Sequence, residues 1–477
     1  MLFLCLAGCQ LGSRSIITTV EHGLRHSVLI ANDKNQHMTI TERMNYYNVQ
    51  AVSIAVINNE KLEWAKGYGC SSNTLFQAAS MSKSFTAIGA LILVQQKKLS
   101  LDENVNNYLK SWKVPDNKFT KTEKVTLRRL LSHSAGINLQ RGFAGYSSDA
   151  IIPTTVEILE GKKPLVNSDP IQVIQTPGIE VHYSGGGTTI VQLLIEDVTG
   201  EKFDVWMKNN VLIPFGMHAS TFSQPLPQEY SNHAICGHKA TGKQVPGKWH
   251  VYPEMAPAGL WSTPTEIAHF IIMLFKILHG KQDGPISQEL LRDALKIQVH
   301  NSNMGLGFKI SGSGKNVTFG HGGWNEGFIA DFNAWPELGK GLIMMVNNEG
   351  AVGLMHEIRN SIADAYDIPG FEPLIKSTIP LDPSSLAQFT GVYKQHDHTI
   401  TINMRNNRLF LLDSYVDLLR DMQLYPAGDD NFFTKELNGS LQFFGSHGQI
   451  DSIIMLDKDG KRMIYNGKEI VLKKSKA

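Results

Sequence analysis

Strand patterns stand at two places far apart in this chain, with helical patterns between them. Residues 52–57 and 62–68 flank Asn58-Asn59-Glu60 and predict a hairpin. Residues 317–320, 328–333 and 342–347 return to the strand pattern, before a helix near 354–366. Strands early and late with helices between predict one antiparallel sheet built from both ends of an α+β domain, its faces covered by helices.

The middle is expected to be mainly helical. Residues 126–132 read as a short helix, and 151–178, with Pro153, Pro164, Pro170 and Pro177, as mostly irregular. Val191, Leu194, Ile195 and Val198 form a stripe that Gly200 ends. Thr263-Pro264-Thr265-Glu266 is a capping box launching a helix through about Leu278; it carries no chemistry. Residues 369–383 are proline-rich. Beyond them Asn438-Gly439, Asp459-Gly460 and Asn466-Gly467 sit between hydrophobic runs as hairpin signals, so 384–477 reads as a small all-β barrel or sandwich. The expected division is 1–9 as a leader, 10–375 as the main domain, 376–383 as a linker and 384–477 as the β domain.

With 477 residues, two or three domains are expected. A net charge of +1 gives no reason to expect a nucleic-acid partner. Residues 1–7 (MLFLCLA) are apolar, and Leu6-Ala7-Gly8-Cys9 resembles the lipobox of bacterial lipoproteins, though without a charged n-region. The expectation is a lipidated Cys9 and an envelope protein, periplasmic or tethered; the apolar tip is too short to span a bilayer. Cys70 and Cys236 remain, and whether they pair is open. Neither sits in a metal-ligand pattern, so neither metal nor cofactor is expected.

Ser80-Met81-Ser82-Lys83 is the only Ser-x-x-Lys in the chain. Met81, Phe85, Ile88 and Ile92 recur at helical spacing, predicting an amphipathic helix with Ser80 and Lys83 meeting on an adjacent face. Ser80 could be a plain N-cap, but a cap built for stability favours Glu or Gln three residues on. A lysine there is repelled by the helix dipole, which marks it as a candidate functional residue. Two further motifs, Tyr183-Ser184-Gly185 and His321-Gly322-Gly323, follow far along the chain.

In these motifs the chain resembles the serine β-lactamase and penicillin-binding protein superfamily, specifically its class C β-lactamase-like branch. The segments 130–136 (LLSHSAG) and 257–264 (PAGLWSTP) match as well, and the resemblance covers roughly residues 48–366. The β region looks like the lipocalin-like domain appended to many such hydrolases. The resemblance implies an acyl-enzyme at Ser80, with Lys83 and Tyr183 moving its proton and His321 completing the network. It implies an oxyanion hole from the main-chain N–H groups of Ser80 and Trp324, and substrate backbone lying along Gly322 and Gly323. Whether Lys83 or Tyr183 is the base stays open, because a helix dipole, worth at most ~2 kcal/mol, cannot by itself neutralise a lysine.

Gly185 stands where the family commonly has Asn, and His321 where dedicated class C enzymes have Lys; both put efficient β-lactam turnover in question. Glu254 and Glu326 fall near the expected cleft, but exposed glutamates are mostly solvated, and neither is assigned to the site. His133 follows a short helix and reads as structural. No Gly-x-Ser-x-Gly exists, which argues against an α/β-hydrolase elbow. The leading expectation is a serine hydrolase of esters, D-amino acid peptides or amides, or β-lactams. A true β-lactamase or DD-peptidase is the alternative, and a binding protein for cell-wall fragments with a vestigial site is the non-enzymatic one. A small-molecule or peptide substrate is expected; the oligomeric state is open.

Overall fold

Long apolar runs bounded by turn residues become the sheet. The computed structural model describes residues 15–475 except 139–141, 397, 415–420, 429, 447–448 and 466–467. Cys9 with its lipobox and Asn466-Gly467 lie outside the described residues. The chain divides into two compact units, Asn48–Glu349 and the combination of Met1–Tyr47 with Gly350–Ala477.

In the first unit the main sheet is built from β1 (Val52–Asn58), β2 (Lys61–Tyr68), β3 (Lys309–Ser311), β4 (Thr318–Asn325), β5 (Phe328–Trp335) and β6 (Lys340–Val346). They form one sheet in the order β2-β1-β6-β5-β4-β3. The early hairpin joins the late strands antiparallel through β1 and β6, with Val52 opposite Val346 and Ile57 opposite Gly341. The short edge strand β3 covers only the first part of β4, pairing Lys309 with Gly320 and Ser311 with Thr318.

Three helices matter for the site: α1 (Ser82–Gln95), α2 (Gly185–Thr199) and α3 (Pro264–Leu278). α3 packs on the sheet. Its N-cap is Thr263, whose side chain accepts from the Glu266 N–H. The Glu266 carboxylate does not return to the cap; it takes the Ala219 N–H at 2.7 Å instead. The segment 151–178 holds one helix, Thr155–Glu160, launched by a capping box of Thr154 and Glu157. Cys70 and Cys236 are free thiols.

α1 departs from the amphipathic expectation, because residues 82–93 are buried on every face. Its polar side chains act as anchors for neighbouring segments. Ser82 Oγ accepts from the Leu260 N–H at 3.0 Å, Ser84 Oγ donates to Gly307 O at 2.7 Å and Thr86 Oγ1 donates to Ala256 O at 2.9 Å. A buried hydroxyl is tolerated when its hydrogen bonds are made.

In the second unit the helix expected near 354–366 runs Val352–Ala365. Val28–Ile30 pairs in parallel with Leu374–Lys376, so the proline-rich stretch 369–383 contains a strand. Eight strands between Gly391 and Lys474 close into a barrel, completed where Tyr393 meets Lys474. Alternate residues such as Ile400, Ile402, Leu409 and Leu411 fill its core. Among them His398 Nε2 meets Asp413 Oδ1 at 2.7 Å, a buried polar pair. Asn438-Gly439 is not the two-residue turn its sequence suggests. Gly439 already belongs to a strand, and the connection from Phe433 is longer, with Thr434 Oγ1 accepting from the Leu437 N–H at 3.2 Å. Among the described residues no helix is long and apolar enough to cross a membrane.

Candidate active site

Ser80 does not cap α1. It lies in a short 3-10 turn, Ala79–Met81, and the helix begins at Ser82 without a side-chain cap. The turn is held on one side by the Ala78 N–H donating to Leu260 O at 2.8 Å. On the other side β4 presses against it. A Cβ on Gly323 would lie 2.3 Å from Ala78 O and 3.0 Å from Ser80 N, so only glycine lets the strand run this close. Ala79 takes φ +49, a conformation that non-glycine residues seldom adopt and that clusters at functional sites. The outcome is a serine that remains partly accessible while its neighbours in sequence are buried.

One turn on, buried Lys83 donates from Nζ to Ser80 Oγ at 2.9 Å and to Pro257 O at 2.9 Å. The same Nζ stands 5.1 Å from the Tyr183 ring centre. Tyr183 arrives from the loop before α2, whose N-cap is Ser184; the helix starts at Gly185, well ahead of the stripe that opens at Val191. Burial pushes the Tyr183 hydroxyl up. The Lys83 charge, hydrogen-bonding contact with Ser80 and Lys83, and the Lys309 charge outweigh it and hold the phenol below its ordinary value.

His321 lies within β4 rather than in a turn, paired with Phe332 of β5, and is buried. Its ring centre is 6.2 Å from that of Tyr183. Nδ1 is 2.6 Å from Gly322 O, and since a carbonyl only accepts, Nδ1 carries the ring proton. Nε2 is then an acceptor, and it has no partner among the described residues. Burial and the Lys83 charge push His321 down to about 3, so it works as a neutral group.

The structure therefore brings Ser80, Lys83, Tyr183 and His321 together, with Gly323 against the Ser80 main chain. A Cβ on Gly322 would meet Asp331 Oδ1 and Ala330 O only at ordinary distances, 3.6 and 3.9 Å, and the Trp324 side chain is exposed. Beyond β3 the edge of β4 from His321 onward has no strand neighbour among the described residues. A Cβ on Gly185 would lie 3.0 Å from the Phe143 ring, so an aromatic side chain fills the space beside the Tyr183 loop.

Sequence reasoning passed over two neighbours. His133 packs its ring on Tyr183 with centroids 4.3 Å apart. Lys309 adds positive charge felt by Tyr183, His133 and His321. His133 sits in the LLSHSAG block, the signal by which it could have been found; Lys309 has no local signature.

Of the two glutamates, Glu326 is paired with Lys239, and its N–H donates to Tyr252 Oη at 3.0 Å. Glu254 is not solvated: it is fully buried, and both carboxylate oxygens lack partners among the described residues. Burial pushes its carboxyl from 4.5 up to about 8. A folded-state value above the unfolded one contributes stability in full below the unfolded value, and that stability is lost as pH rises through the folded value. Resistance to urea should therefore fall between about pH 5 and about pH 8, by several kcal/mol at most given about 1.4 kcal/mol per pKa unit. Glu254→Gln is expected to flatten that slope; parallel slopes for variant and wild type would contradict the assignment.

Residues 38–367 match the Beta-lactamase family model. Penicillin-binding protein 4* of Bacillus subtilis (strain 168) is 22% identical over 419 residues, 81% of this chain and 86% of that protein. Protein flp of Staphylococcus aureus (strain MRSA252) is 26% identical over 249 residues, 50% of this chain, which spans under half (46%) of that relative. The octameric penicillin-binding protein homologue from Pyrococcus abyssi superposes with a TM-score of 0.60 at 20% identity, covering 91% of this chain and 98% of that one. SurE in complex with D-Leu gives 0.54 at 16% identity, with 91% and 97% covered. At such identities the likeness of structures is one of fold.

Proposed function

Because the chain belongs to the Beta-lactamase family, we propose that it is a serine hydrolase acting through an acyl-enzyme at Ser80. The observation that carries the reading is the bond from Lys83 Nζ to Ser80 Oγ at 2.9 Å beside a phenol kept below its ordinary pKa. Lys83, fixed by Pro257 O, supplies the positive charge that stabilises a Tyr183 phenolate. Tyr183 takes the Ser80 proton as Oγ attacks the substrate carbonyl. It passes that proton to the leaving group and then activates the water that releases the acyl group. His321 offers its Nε2 lone pair as a neutral acceptor in the same network. The main-chain N–H groups of Ser80 and Trp324 are the proposed donors to the oxyanion, and Gly322 leaves room for substrate along β4, while the space at Gly323 is taken by the turn carrying Ser80.

The proposed substrates are esters or D-amino acid peptides and amides, ahead of β-lactams. Two features support that order: Gly185 offers no side-chain amide and faces the Phe143 ring, and His321 presents a neutral imidazole where a carboxylate-binding lysine would stand. The chain is proposed to work in the bacterial cell envelope, periplasmic or tethered through Cys9.

The test compares turnover of a short-chain p-nitrophenyl ester, a D-amino acid p-nitroanilide and a chromogenic cephalosporin. The expected result is a kcat/KM for the ester or the anilide at least roughly tenfold above that for the cephalosporin. Faster cephalosporin turnover would favour a true β-lactamase. Binding of all three without acylation would favour the cell-wall-fragment binding role.

A further inference from the structure

We infer that His133 is the positioning residue for Tyr183, gripping the peptide groups on both sides of it while its ring backs the phenol. The His182 N–H donates to His133 O at 2.7 Å, and the Ser184 N–H donates to His133 Nδ1 at 3.2 Å. Between these two bonds the imidazole lies against the Tyr183 ring, centroids 4.3 Å apart and planes tilted by 39°. Thus three contacts from one residue fix the backbone before, the ring of, and the backbone after the proposed base.

The clamp is itself anchored. His133 follows the buried Leu130 and Leu131 and takes φ +57, a left-handed conformation held by its surroundings. Gly307 N–H donates to Leu131 O at 2.9 Å, and Gly178 N–H donates to Ser134 O at 2.7 Å. A residue so held can transmit rigidity to a loop that has no regular structure of its own.

The hydrogen bonds also set the tautomer. A peptide N–H can only donate, so Nδ1 must present its lone pair to Ser184, and the ring proton sits on Nε2. A proton added at Nδ1 would remove that bond. Burial first, then the charges of Lys83 and Lys309 with His321 alongside, press the imidazole towards its neutral form. The groups that face the phenol are then Ser80 from the 3-10 turn, Lys83 from α1, Lys309 from β3, His321 from β4 and His133 from below. Only the two lysines bring charge. Releasing the clamp lets the phenol move from Lys83, and its pKa returns towards the ordinary value.

The kinetic consequence rests on the acyl-enzyme reading; the structural one does not, and the test separates them. His133→Phe keeps a ring and removes the acceptor. His133→Asn keeps an acceptor at the place of Nδ1, suits the left-handed backbone and removes the ring. The Tyr183 titration is read as phenolate absorbance against a Tyr183→Phe background of each protein. In His133→Phe it should rise towards the ordinary tyrosine value, and in His133→Asn by much less. With a turned-over substrate, kcat of His133→Phe should fall about tenfold or more at nearly constant KM. Equal titration in all three proteins, or a shift in His133→Asn as large as in His133→Phe, would overturn the clamp. Histidine 15N resonances of the wild-type protein check the tautomer without any variant: Nδ1 unprotonated is expected, and a proton on Nδ1 near neutral pH would overturn the inference. If no Ser80 adduct forms while the titration shift and tautomer stand, the acyl-enzyme reading fails and the clamp survives.

Discussion

Ser80→Ala is expected to lower kcat/KM by roughly 10⁴–10⁶-fold while leaving the fold intact. The reason lies in how little packing the hydroxyl provides. Ser80 is partly accessible, and its Oγ accepts a hydrogen bond from Lys83, which keeps Pro257 O as a second partner when the hydroxyl is gone. Loss of one such hydrogen bond is worth about 1 kcal/mol. The melting temperature should therefore stay within a few degrees of wild type while turnover vanishes. A variant that retains more than a few per cent of activity would place the nucleophile elsewhere.

Tyr183→Phe is expected to lower kcat by roughly 10²–10⁴-fold, the usual scale for losing a general base. The ring remains and keeps its contact with His133, so the change isolates the hydroxyl. The pH dependence supplies the sign. A base works deprotonated, and because the phenol is held below its ordinary value, the rate should climb with pH at values where a free tyrosine is still protonated. His321, pushed down to about 3, does not change its charge in that range. The pH–rate profile of Tyr183→Phe should lose the rising limb. A limb that persists unchanged would assign it to another group.

The sheet could be anticipated because each strand carries its own repeat: the hairpin of β1 and β2 and the late strands β4 to β6 were expected within a few residues. What the sequence withheld were features made by partners distant along the chain. β3 is three residues long and pairs only with the start of β4, too little to stand out as a pattern. The polar residues of α1 look like a solvent face, yet they end on buried groups of Leu260, Gly307 and Ala256. A hydroxyl bonded to a buried peptide group and one bonded to water are the same letter. For the same reason the parallel pairing of Val28–Ile30 with Leu374–Lys376 lay hidden in a proline-rich stretch.

The candidate site was readable as far as its motifs went. Ser80, Lys83, Tyr183 and His321 sit in motifs whose residue types announce proton chemistry, and folding brings them together. Gly323 reads as room along the strand, and its closest constraint is Ala78 O, next to the Ser80 main chain. Glu254 reads as solvated because nothing nearby in sequence says that the turn around Met255 is buried. His133 reads as merely structural because its partners, His182 and Ser184, lie some fifty residues downstream.

Intact-mass spectrometry of the folded wild-type chain after treatment with a fluorophosphonate probes the central claim most directly. One adduct per chain is predicted, mapping by peptide sequencing to Ser80 and missing from Ser80→Ala. Folded protein that stays unmodified, or a label carried on a different serine, would contradict the account.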